Sequence, residues 1–223
     1  MNTSLSKAVQ RIGAALILLP VSLAAHMSAQ ARTPLIGVAS SLAVPDPTTP
    51  AASTFRDTRY GVNFKVPTGW TLTKHDAEVS TFAFDVRTAP VSSQMRGLAT
   101  IAFNPHPTST FSGALFYFSV TPRSSEAQCR EQAAAQAPRT VTTAQIAGTG
   151  FSHGYDEHGT ICTEARDEIY TALRSGACYR FDLVINSFCG GDVSGIRDIS
   201  PVEINAVFKR LQSILDTVTF DAR

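Results

Sequence analysis

The sequence has no apolar run long enough to hold it permanently in a bilayer. The longest run, Ile12 to Ala25, is about 14 residues and contains Pro20, whereas a spanning helix needs about 20. Charge is sparse, at 17% Asp, Glu, Lys and Arg, and the basic residues stand singly among acidic and neutral ones. A clustered basic face, the footprint of nucleic-acid binders and of membrane-surface helices, is missing, so neither partner is expected. There is no G-x-S-x-G elbow, no G-x-G-x-x-G and no Walker pattern with its lysine, which removes the usual signatures of serine hydrolysis, dinucleotide binding and phosphate cradling. Cysteine is scarce too. Cys129, Cys162, Cys178 and Cys189 are separated by 33, 16 and 11 residues, without the close pairs typical of tetrahedral zinc.

The short apolar run has another reading. Lys7 and Arg11 precede it as a positive region, and Ala29-Gln30-Ala31 follows as a small-x-small motif, the order of a cleavable export signal. Residues 1–31 are therefore read as a signal peptide cut after Ala31, in preference to a retained anchor. The lack of a cysteine at the processing site argues against a lipid anchor. Loss of Lys7 and Arg11 takes the net charge from +1 to −1. The mature protein is expected to be periplasmic or secreted.

Residues 32–53 are rich in Ala, Ser, Thr and Pro without periodicity and read as a disordered leader. Residues 54–223 read as a single domain. Val62, Phe64 and Val66 alternate with Asn63 and Lys65, the period of a half-buried strand, and Pro67-Thr68-Gly69 turns the chain into a second strand at Trp70. Further β-rich runs fall at Ser80–Val86, Leu98–Phe103 and Ala114–Val120, with Phe116 and Phe118 on one face and Tyr117 on the other. A capped helix is expected from Ser125 to about Ala137, then strands at Gln145–Phe151, Ile161–Ala172 and Ala177–Ser187, the last two joined at Arg174-Ser175-Gly176. Ser200, Pro201 and Glu203 make a capping box with proline at the first helical position. Behind them Ile204, Val207, Phe208, Leu211, Ile214 and Leu215 form one apolar stripe, a helix that must dock on a sheet. A strand at Thr217–Phe220 closes the chain. The class is α+β, with a mainly antiparallel sheet.

An even cysteine count in an exported chain favours disulfides over free thiols. A hairpin turning on Ser175-Gly176 sets Cys162 opposite Cys189, within bridging distance across strands. That leaves Cys129 for Cys178, as the favoured one of three connectivities.

Candidate chemistry is thin. His153 and His158 flank Asp156 and Glu157 in a glycine-bounded segment, where a loop could converge them on a metal or a hydrolytic water. A solvated turn is the plainer account. Glu164, Arg166, Asp167 and Glu168 read as a solvated strand edge. No catalytic, cofactor or metal residue is assigned, and no cofactor is expected.

The segment Tyr60-Gly61-Val62-Asn63-Phe64-Lys65-Val66-Pro67-Thr68-Gly69-Trp70 resembles the opening hairpin of the PsbP-like family, and Thr217-Val218-Thr219-Phe220 after the last helix resembles its C-terminus. The family includes the lumenal PsbP subunit of photosystem II, Ran-binding import factors and exported bacterial proteins. The resemblance implies an α/β/α sandwich around a central antiparallel sheet, and a protein that binds an unknown protein or small-molecule partner without catalysing a reaction. The functional expectation is an exported binding or accessory protein, with a small-molecule or lipid carrier as the alternative.

Overall fold

The computed structural model describes residues 52–78, 94–134, 141–160, 162–190 and 195–222, with the side chains of Ala77, Glu78, His158 and Thr160 excepted. The export signal, its cleavage site, the leader up to residue 51 and the strand expected at Ser80–Val86 lie outside the described residues.

The first strand, β1 (Ser53–Asp57), begins at the last residue read as leader. It pairs antiparallel with β2 (Val62–Val66), and β2 pairs on its other side with β10 (Thr219–Phe220). The second sheet has seven strands. In chain order they are β3 (Thr71–Glu78), β4 (Arg96–Phe103), β5 (Phe111–Pro122), β6 (Thr142–Ile146), β7 (Thr149–Thr160), β8 (Thr163–Arg174) and β9 (Ala177–Phe188). In space the order is β3-β4-β5-β9-β8-β7-β6, and all neighbours are antiparallel. Helix α1 (Glu126–Glu131) follows β5 and α2 (Pro201–Leu215) follows β9. The α+β class read from the sequence is the one observed.

The pleat of β9 separates the two faces of the large sheet. Tyr179, Phe181, Leu183 and Ile185 enter the main core with Phe116 and Phe118 of β5 and with Val207, Leu211, Ile214 and Leu215 of α2. The small sheet shares this side: Phe64 meets Phe116 at 5.3 Å between ring centroids, and Phe118 stacks on Phe181 at 5.0 Å. Cys178, Arg180 and Asp182 point the other way, toward α1, which is bonded to Cys178 through Cys129. Helices thus lie on opposite faces of a central sheet. Both helices start as the sequence dictates, because Ser125 with Gln128 and Ser200 with Glu203 each close a reciprocal capping box.

Four expectations are corrected. The Tyr60–Trp70 segment is no hairpin, since β2 and β3 belong to different sheets. The Trp70 amide does donate to the Pro67 carbonyl at 3.2 Å, but a turn fixes a change of direction and not a pairing partner, and β2 already has a neighbour on each side. The run Gln145–Phe151 is the hairpin β6–β7, reversed at Ala147 and Gly148, both with positive φ. The Ser175-Gly176 turn has the same form, with φ of 48° and 75°, as two-residue antiparallel loops require. That β6–β7 hairpin adds two strands outside β8, so the charged run Glu164–Glu168 lies in the interior of the sheet and Asp167 is 0% exposed. Finally, α1 ends at Glu131, well before Ala137.

The turn leaving α1 crosses β7 at contact distance. A Cβ built on Gly154 would lie 1.8 Å from the Ala133 carbonyl oxygen. Gly154→Ala is expected to push that turn off the sheet and lower stability by about 1–3 kcal/mol, read as a shift in denaturant midpoint. An unchanged midpoint would mean that Ala133 does not press on β7.

Candidate functional site

The segment expected to be a loop from His153 to His158 is part of the extended strand β7. Five residues of strand separate the two positions by about 16 Å, so no loop brings them together. His153 is stacked on Tyr170 with ring centroids 4.4 Å apart, its Nδ1 lies 3.3 Å from the Thr142 hydroxyl, and its Nε2 lies 3.8 Å from Glu168. Burial holds the imidazole below its usual pKa, against the opposing pull of Glu168. Burial, and then the bond that its hydroxyl donates to Glu168, push the Tyr170 phenol up. The cluster ties β6, β7 and β8 to α2 through Tyr170 and Gln212. No third ligating group joins it, and among the described residues no group of three or more His, Cys, Asp or Glu could hold a metal.

The face toward α1 is polar where a core would normally be apolar. Cross-strand registers place Ser152 beside Thr171, Thr171 beside Arg180, and Arg180 beside Ser119. Arg180 is 0% exposed, as is Asp182. The Arg180 Nε donates to Asp182 Oδ1 at 2.7 Å, Nη2 donates to the same oxygen, and Nη1 donates to the Gln132 carbonyl at 3.4 Å. The period of two within Ala177–Ser187 puts Arg180 and Asp182 on one face but gives no sign that the face is sealed. A charge at every second strand position carries the same signature whether water or a helix covers it.

A cavity of about 710 Å³ opens at the other end of this face. Along β9 the eight residues from Cys178 to Asn186 span about 26 Å, so the six-residue α1 does not reach it. Five strand ends meet there. Ala102 and Phe103 come from β4, Gly113 and Leu115 from β5, Ala165 from β8 and Asn186 from β9, with Thr71 of β3 beside them. The hollow exists because small residues stand where the strands run out: a Cβ on Gly113 would find only the Phe103 carbonyl oxygen, 4.0 Å away.

Polar groups rim it. Asn104 donates its amide to the Ser112 carbonyl at 3.3 Å, and Glu164 accepts from Arg166 at 2.6 Å and from the Ser187 hydroxyl at 3.3 Å. Arg166 also pairs with Glu157 at 3.3 Å. Phe103 stacks on Trp70 at 4.2 Å, so the single tryptophan reports on this end of the molecule. No sequence signal marks the cavity, because its lining comes from residues far apart in the chain that meet only across the ladders.

Both disulfides have the expected connectivity. Cys129 joins Cys178 and Cys162 joins Cys189, and among the described residues no cysteine is free. The β8–β9 register explains the second, since Thr163 pairs with Phe188 and one further step sets Cys162 opposite Cys189. Two bridges fit an oxidising compartment outside the cytoplasm.

No protein-family model and no curated protein matches the chain. Its fold is similar to that of cyanobacterial PsbP (CyanoP) from Synechocystis sp. PCC 6803, whose solution structure aligns with a TM-score of 0.43 at 8% sequence identity, over 76% of this chain and 92% of that one. The likeness is one of fold alone.

Proposed function

We propose that the chain is an exported bacterial binding or accessory protein of the PsbP-like family, cut after Ala31, that holds a small, mainly apolar molecule in the cavity beside Phe103 and Leu115. The cavity is the observation that carries this reading. Its size falls in the range of small-molecule sites, which combine apolar walls with a few fixed polar groups. The export signal, the disulfides and the Tyr60–Trp70 motif supply the exported and family parts of the reading.

The test uses mature protein recovered from the extracytoplasmic fraction, with Arg32 as its expected first residue. It is titrated with the apolar dye 1-anilinonaphthalene-8-sulfonate while Trp70 emission is followed. Saturable binding with a change at Trp70 is expected, and Gly113→Leu, whose Cβ has room at that position, should weaken binding at least tenfold at an unchanged unfolding midpoint. Equal binding by both proteins, or no saturable binding, would end the proposal.

A further inference from the structure

The two disulfides occupy opposite environments. Cys129 and Cys178 are 2% and 0% exposed, sealed beneath α1. Cys162 and Cys189 are both exposed, at the open end of the β8–β9 hairpin. A thiolate must reach a sulfur to open a bridge, so only the second is presented to one.

The two halves of the exposed bridge are held by different means. On the Cys189 side, the Phe188 amide donates to the Thr110 carbonyl at 2.9 Å, and a Cβ on Gly190 would lie 2.4 Å from both Asp198 Oδ1 and Thr110 Cγ2. That backbone is pinned. On the other side, Cys162 has a φ of 65°, a left-handed conformation that non-glycine residues adopt only when something holds them there. The short β7–β8 loop closed by the Thr160–Thr163 pair calls for such a conformation, and the bridge and one bond from the Cys189 amide to the Cys162 carbonyl, 3.3 Å long, tie it to β9. Thr163, Glu164 and Ala165, which follow directly, form a wall of the cavity.

We infer that Cys162–Cys189 is a thiol–disulfide exchange site for a dithiol reductant, and that opening it loosens the cavity wall and releases the ligand; this second half rests on the binding reading above. A thiolate of the reductant attacks one protein sulfur, the S–S bond breaks, and the other sulfur leaves as a thiolate that takes up a proton. The reductant's second thiol then resolves the mixed disulfide. Two electrons pass to the protein, which ends as a dithiol, and the reductant departs as its own disulfide. The end of β8 at Thr163 and Glu164 then loses its covalent tie to β9 and is held there by ladder pairing alone.

The experiment exposes folded, oxidised protein to graded dithiothreitol, quenches with iodoacetamide and maps alkylation by peptide mass, with dye affinity measured at each step. Cys162 and Cys189 should be alkylated while Cys129 and Cys178 stay bridged, and dye binding should weaken at least threefold over the same range. Cys162→Ala/Cys189→Ala should bind as weakly without reductant and respond no further. Simultaneous opening of both bridges, or earlier opening of Cys129–Cys178, overturns the exchange site. Selective opening with unchanged dye affinity overturns the release. Absence of dye binding to the oxidised protein defeats the ligand reading and the release together, while the alkylation order still decides the exchange site.

Discussion

Asp182→Ala is expected to lower the stability of the folded protein by about 3–5 kcal/mol, one of the two largest losses anticipated for a small change in this chain. The cost comes less from the bond removed than from the charge left behind. Arg180 is 0% exposed. Two of its nitrogens donate to the one oxygen Asp182 Oδ1. Without that carboxylate the guanidinium keeps, among the described residues, the long contact to the Gln132 carbonyl, at 3.4 Å, under a lid of α1 and its following turn. Asp182→Asn retains an acceptor and should cost less. Guanidinium unfolding at neutral pH, with an unchanged dependence on denaturant concentration, is the measurement. A loss below about 1 kcal/mol, the size of an exposed ion pair, would show that water reaches Arg180.

Removing the buried bridge by Cys129→Ala/Cys178→Ala is expected to cost about 4 kcal/mol, since it joins residues 49 apart. Helix α1 has six residues, far below the roughly 12 at which an isolated helix becomes even marginal. It stays folded because Cys129 fastens it to β9 and Ser125 caps it. The double variant should therefore lose hydrogen-exchange protection across Glu126–Glu131 at concentrations of denaturant that leave β5 and β9 protected. Unchanged protection in α1 would mean that packing alone secures the helix.

Local signals in the chain were read well where they are chemically explicit. The Ser200-Pro201-Glu203 start of α2 and the Ser125 cap of α1 were legible because capping needs particular side chains at fixed offsets. The Ser175-Gly176 turn gave the β8–β9 register, and with it both disulfides. What stayed hidden was non-local. Ala147-Gly148 is a weaker turn signal than Asn-Gly, so β6 and β7 merged into one run. The charged stretch after Cys162 was in consequence placed at an edge. Nothing between Tyr60 and Trp70 states which strand will lie alongside β2, because both β2 partners are elsewhere in the chain. The cavity was invisible for the same reason: Gly113, Ala102 and Ala165 are unremarkable singly and become a hollow only when three ladders align them.

The order β1-β2-β10 has a kinetic consequence. A polypeptide that emerges N-terminus first delivers Phe55 and Phe64 about 155–165 residues before Thr219 and Phe220, which complete the sheet beside β2. Closure must wait for the tail, which makes assembly a late event dominated by distant pairings. Until Phe116 and Phe118 arrive to pack on them, Phe55 and Phe64 stand uncovered, and any delay exposes them to aggregation.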